Sequence, residues 1–212
     1  PVTGVHTCAL PIYQDPGASE GVLMLDRWPY AEQSAEAVFG DELVLPANGP
    51  VPADSRRPPY RGTVYSFQYG PVLFIGLNDV YWWTTDNRVS KYGGSPEGYL
   101  MEDQLRWFEA EMASAESSPT VRFVVVFVHE PAFPSGPATG QAGMSWNGDN
   151  DVRAYTRQGE TVVASGEGII EVRNRFWRVL SGSRKSAALI AGHQHAYSRL
   201  LVDDRTPVGV FP

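Results

Sequence analysis

Apolar positions along the chain fall into two kinds of pattern, continuous β-branched runs and runs with a period between three and four. Val121-Arg-Phe-Val-Val-Val-Phe-Val128 is a Val/Phe run of the kind buried on both faces of a parallel sheet, and His129-Glu-Pro131 stops it. A second run, Ser186-Ala-Ala-Leu-Ile-Ala191, ends in Gly192-His193-Gln194-His195. Between them, Ile169, Val172, Phe176 and Val179 recur at spacings of three and four within Gly168–Leu180, which predicts an amphipathic helix. Strand, helix, strand is a βαβ unit, and its right-handed crossover puts the carboxyl ends of both strands on one edge of the sheet.

The rest of the chain reads as flanking elements of one domain. Thr63 to Gln68 and Val72 to Asn78 flank Tyr69-Gly-Pro71 and form an expected antiparallel pair. Glu102 to Ala115 reads as a helix with Leu105, Phe108 and Met112 on one face. Pro29 opens a short helix through Phe39, and a Pro-rich loop runs from Leu45 to Pro59. A Gly/Ser-rich loop is expected from Pro134 to about Gly166; loops that long tend to be functional or mobile, and this one starts five residues after His129. Internal repeats are absent.

Composition narrows the function classes. At 212 residues and 42% hydrophobic the chain can bury one real core. A net charge of -7 without a basic cluster argues against a nucleic-acid surface. No run approaches the roughly 18 apolar residues of a membrane span. The one cysteine, Cys8, lies in an atypical N-terminal stretch, so cysteine use says nothing of the redox compartment. A periplasmic or secreted location is the expectation, and the oligomeric state is unreadable.

Chemistry enters with the histidines. Apart from His6, every histidine of the chain, His129, His193 and His195, follows an apolar strand run, and neutral imidazole is the commonest side-chain metal ligand. If His193 and His195 stay extended, residues two apart point to one face and both rings can meet one ligand. Gly192 permits the tight turn before them. One such histidine alone is more often a core or surface residue; three on one sheet edge predict a metal site made of His129, His193 and His195.

Val-Val-Val-Phe-Val-His129-Glu-Pro, followed by Ala-Gly-His193-Gln-His195-Ala-Tyr-Ser-Arg199, resembles the last two metal-binding motifs of the calcineurin-like metallophosphoesterases, including their purple acid phosphatase branch. Upstream, Tyr60–Gly70, Val72–Asn78 and Tyr81-Trp-Trp83 resemble the hairpin those enzymes carry after their third motif, and Gln104-Leu-Arg-Trp-Phe-Glu109 resembles the helix before the fourth. The resemblance runs from about Trp28 to the end of the chain, most closely from Tyr60 to Arg199. It implies an α/β fold, part of the metallophosphoesterase α/β sandwich of mixed sheets flanked by helices. It also implies hydrolysis of phosphate monoesters, diesters or nucleotides by a dinuclear centre of Fe, Zn or Mn in the intact parent. By position, His129 and His193 would ligate one ion and His195 the other.

The family's Asp-x-His, its bridging Gly-Asp aspartate and its Gly-Asn-His motif are not found in this chain. Gly40-Asp41 and Gly148-Asp149-Asn-Asp151 imitate the Gly-Asp motif and read as loops. Glu130 departs from the His or Arg of the family and brings a carboxylate beside the site. Residues Val2 to Ile12 resemble, apart from His6, a translated sequencing-library adapter. The expectation is therefore a non-native segment at 1–12, then one incomplete domain over 13–212 that lacks the N-terminal βα units and the general acid. Such a fragment would bind at most one ion weakly, hydrolyse little, and expose a sheet edge prone to aggregation. The aromatics Tyr81, Trp82, Trp83 and Trp146, and Tyr197 with Arg199, are candidate substrate contacts, against core packing for the first group and a surface arginine at a strand start for the second. Two other functions stay open: a non-enzymatic carbohydrate- or protein-binding module with relic histidines, and a mononuclear zinc or iron hydrolase built on the three histidines.

Overall fold

A computed structural model describes residues 35–82, 93–133, 144, 149–193, 197–199 and 201, without the side chains of 35–38. Chain order is α1 (Ala35–Glu42), β1 (Tyr65–Tyr69), β2 (Val72–Gly76), α2 (Glu102–Ser117), β3 (Phe123–Phe127), β4 (Tyr155–Gln158), β5 (Thr161–Ala164), α3 (Ile169–Gly182) and β6 (Ser186–Ile190). The architecture is mixed α/β, with one sheet of order β1-β2-β3-β6 and a separate β4-β5 pair.

The expected hairpin forms, with Tyr69 opposite Val72 across Gly70-Pro71. Gly70 takes φ +56, a conformation that costs a residue without a Cβ little. From β2 onward the sheet is parallel: Val72 pairs with Phe123, and Phe127 with Ile190 after a bulge between Val124 and Val125. The expected βαβ unit is therefore present as β3-α3-β6, with β4-β5 inserted.

Alternation along the strands sorts the two faces. Leu73, Ile75, Val124 and Val126 point one way and are buried with Leu105, Phe108 and Met112 of α2 and Ile169, Val172, Phe176 and Leu180 of α3 in a single cluster. Phe108 and Phe176 meet at 5.1 Å between ring centroids and join the two helices. The opposite face carries a ladder of rings, Tyr65 to Phe67 at 6.4 Å, Phe67 to Phe74 at 5.0 Å and Phe74 to Phe127 at 6.2 Å. Phe67, Phe123 and Ile190 on that face are exposed.

Several expectations are corrected. The stretch from Pro134 to Gly166 is not one loop, because β4 and β5 pair within it about Gly159, which takes φ +62. Gly40-Asp41 lies in α1, which ends at Glu42 rather than Phe39; the expected start at Pro29 lies outside the described residues. Asp149 to Asp151 is a turn, as expected, while Gly148 lies outside the described residues. Tyr81 and Trp82 are 0% and 1% exposed and belong to the core rather than a cleft wall. The buried Arg57 guanidinium lies 5.4 Å from the Tyr81 ring centroid and 5.5 Å from that of Trp82, and is paired with Asp103 at 3.0 Å. A cation among those rings suits packing better than substrate stacking. Trp83 and Trp146 lie outside the described residues.

Candidate metal centre

Two parallel strand ends supply the first pair of ligating groups. Beyond β3 and β6 the ladder continues, with Val128 N–H donating to Ile190 O at 3.1 Å and Gly192 N–H donating to His129 O at 3.0 Å. His129 and His193 are thus carried past the sheet edge side by side. His193 takes φ +58, a left-handed conformation uncommon for a residue with a Cβ. In that conformation its Nδ1 comes within 3.2 Å of His129 Nε2, with the rings edge to face. The extended backbone that would have put His193 and His195 on one face is therefore not adopted at His193, and His195 lies outside the described residues.

Two glutamates complete the group. His193 Nδ1 is 2.7 Å from Glu130 Oε1 and 3.7 Å from Glu97 Oε1, while His129 Nε2 is 4.0 Å and 3.9 Å from the same two oxygens. One donor atom from each of Glu97, His129, Glu130 and His193 lies within 4.8 Å of all the others. The Glu130 side chain is fully buried, and the other three are between 20% and 34% exposed. A water-accessible rim around a buried carboxylate leaves a path by which a cation could enter.

The glutamates are held by backbone fixed elsewhere. Asp79, just beyond the end of β2, accepts the N–H of His129 at 3.0 Å on one carboxylate oxygen and that of Glu130 at 2.8 Å on the other. Its own carbonyl accepts Gly98 N–H at 2.7 Å, which ties the Glu97 loop to the same point. Asn78 in turn exchanges two hydrogen bonds with the buried Gln104 amide of α2, at 2.7 Å and 2.9 Å. The Glu97 loop has further anchors: Gly94 bridges Tyr155 in both directions, Ser95 N–H donates to Trp82 O, and Ser95 Oγ donates to Tyr81 O. Gly93 is required there, since a Cβ would stand 2.5 Å from the Trp82 ring and its φ is +103.

Burial shifts two groups at this corner. Burial pushes the Asp79 carboxyl up to about 7, against the pull of the Glu130 and His129 N–H groups. His129 is shifted below the ordinary imidazole range, first by burial and then by the neighbouring His193, so its ring nitrogen is neutral and free to ligate near pH 7. Two imidazoles beside two carboxylates are a donor set that suits zinc and other first-row divalent ions.

Of the three expected ligands, the structure brings His129 and His193 together. Glu97 and Asp79 were not singled out from the sequence, whereas Glu130 was placed beside the site. Asp79 carried a readable signal, a polar residue at the carboxyl end of a strand in the same sheet as the histidines. Glu97 carried none beyond its Gly-rich loop. Tyr197 and Arg199 are exposed, so Arg199 is a surface arginine as expected, and among the described residues neither lies in a strand.

No family model matches the chain, and no solved structure does. Two uncharacterized proteins of Mycobacterium tuberculosis, MT2654 of the CDC 1551 / Oshkosh strain and Rv2577 of the H37Rv strain, are each 26% identical to it over 169 residues. The match covers 76% of this chain and 26% of each relative, so the chain spans about a quarter of the length of the curated relatives it matches.

Proposed function

We propose that the parent of this chain is a calcineurin-like metallophosphoesterase that hydrolyses phosphate esters at a dinuclear metal centre, with this chain supplying part of the ligand set. The observation that carries the reading is the 3.2 Å approach of His129 Nε2 to His193 Nδ1 at the carboxyl ends of two adjacent parallel strands. Ligands bind at such edges in open α/β sheets, and the resemblance places a metal-binding histidine at both positions. A second support is the exposed aromatic face around Phe67, Phe74 and Phe123: the implied α/β sandwich has a second sheet, and large exposed apolar faces mark contact surfaces.

His129 and His193 would hold one ion, and His195, with donors outside this chain, the other. A pair of ions so held would supply a lowered pKa for an attacking water and positive charge to offset that on the phosphate oxygens. Within the chain, Asp79 orients the His129 and Glu130 backbone, and no residue is assigned as general acid.

The test is hydrolysis of a chromogenic phosphate monoester and diester with added Mn²⁺, Zn²⁺ or Fe³⁺, for this chain and for a longer parent recovered from the source. Activity in the longer protein, little or none in this chain, and loss on His193→Ala are the expected results. A longer protein that is inactive with every metal would end this reading in favour of a non-enzymatic binding module.

A further inference from the structure

We propose that Glu97, His129, Glu130 and His193 form a closed single-ion site, complete within this chain, that takes one borderline divalent cation such as Zn²⁺ or Co²⁺. The proposal rests on the reading that this corner of the fold holds metal, but not on phosphate hydrolysis. It differs from a three-histidine site and from a two-ion centre in its ligands, half of which are carboxylates, and in its stoichiometry.

Spacing is the first argument. An ion with tetrahedral bonds of about 2.0–2.2 Å holds its donors about 3.3–3.6 Å apart. Five of the six separations are 2.7, 3.2, 3.7, 3.9 and 4.0 Å, on both sides of that value, and all lie within 4.8 Å, so small side-chain shifts bring the donors to one ion.

Preorganisation is the second. Each donor sits on backbone that is fixed by contacts having nothing to do with the donor itself. His129 and Glu130 hang from the Asp79 carboxylate, the Glu97 loop from the Asp79 carbonyl, Trp82 and Tyr155, and His193 from the zipped strand ends. Second-layer hydrogen bonds of this kind orient ligands, and their loss ordinarily weakens metal binding. Glu130 adds a third argument. A fully buried carboxylate is costly unless a cation or strong hydrogen bonds offset it, and a divalent ion beside the two rings would be such a cation.

Four protein donors also close the coordination sphere. Catalytic zinc sites keep a position for water, whereas structural ones fill all four with side chains. In this chain by itself an ion so held would pin the Glu97 loop to the ends of β3 and β6, and the water activation proposed for the parent needs a position that one of these carboxylates gives up.

Chelator-treated chain titrated with Co²⁺ is the test, read by visible absorption and by metal content after gel filtration. One ion per chain with the intense d–d bands of a four-coordinate site is expected. Glu97→Gln and Glu130→Gln should each weaken binding at least tenfold and lower the band intensity, with far-UV circular dichroism unchanged. Glu97, partly exposed, is the deciding variant if Glu130→Gln fails to fold. Two ions per chain, or wild-type affinity in a folded Glu97→Gln, would overturn the proposal. An inactive longer parent with the one-ion site intact would sink the phosphoesterase reading alone, while an active one with Glu97→Gln binding unchanged would sink this proposal alone.

Discussion

Asp79 shows how much of this site is decided by one side chain that ligates nothing. Its two carboxylate oxygens take the N–H groups of His129 and Glu130, and its carbonyl takes that of Gly98, so two donor-bearing segments share one anchor. Asp79→Ala removes the acceptor and leaves two backbone N–H groups in the interior without it, at a cost of about 1–3 kcal/mol for each buried group so stranded. The expected outcome is a lower urea midpoint and weaker Co²⁺ binding in the same variant, measured by equilibrium unfolding and by titration. A variant that loses stability but binds Co²⁺ as before would show that the anchor serves the fold alone. At this scale the sequence was informative where chemistry follows an apolar run: His129 and His193 stand just past the ends of β3 and β6, and histidines gathered on one sheet edge point to a shared site. Glu97 was illegible because its approach to the histidines depends on a loop closed by Trp82, Tyr155 and Asp79, each far from it in sequence or in no local pattern with it.

Elements were legible in proportion to their periodicity. β3, β6, α2 and α3 lie within a residue or two of where their apolar spacing puts them, since burial against a common core sets both pattern and structure. The β4-β5 hairpin was read as loop because each strand has only four residues and its turn, at Gly159-Glu160, lacks the Asn-Gly or Asp-Gly signature. The start of α3 was visible at Gly168, but its cap was not. Asn150 Oδ1 accepts the N–H of Ile170 at 3.0 Å and of Glu171 at 3.2 Å from a turn remote in sequence, and Glu171 accepts the Gly168 N–H at 2.7 Å. Those N–H groups would otherwise lack partners in the first turn. Asn150→Ala is expected to cost about 1 kcal/mol at neutral pH. Glu171 adds a pH dependence, because the Gly168 N–H, and then Asn150, hold its carboxyl below the usual range. A depressed carboxyl stabilises the fold above its unfolded value of 4.5 and loses that contribution as pH falls through the lower folded value. The stability gap between wild type and Glu171→Gln, open at pH 7, should narrow steadily in acid; a gap that widens there would contradict this account of the cap.

For the whole molecule, the sheet has one face sealed by α2 and α3 and one lined with aromatic rings, while the His/Glu corner lies at the carboxyl end where three segments meet. β2, β3 and the helices are bound into the core, but the Glu97 loop and the chain after β6 reach the corner from outside the sheet, so their local stability is set by what joins them there. A cation bound by all four donors adds free energy only to the folded state, because unfolding scatters Glu97, His129 and His193 along the sequence. Stabilisation then follows mass action and is about 2.7 kcal/mol when free ion stands at a hundred times its dissociation constant. For a chain of this length that is a rise in Tm of about 5–10 °C. Zn²⁺ or Co²⁺ should therefore raise Tm in differential scanning calorimetry, EDTA should reverse the rise, and Glu97→Gln should remove most of it. Hydrogen exchange should slow most at Gly94, Gly98 and Gly192, whose N–H groups hold the three segments together. If Tm were indifferent to chelator while Co²⁺ still bound, the unfolded chain would be holding the ion as well as the folded one does and the assembled corner would not be its site, since a ligand that distinguishes folded from unfolded chain must shift the equilibrium between them.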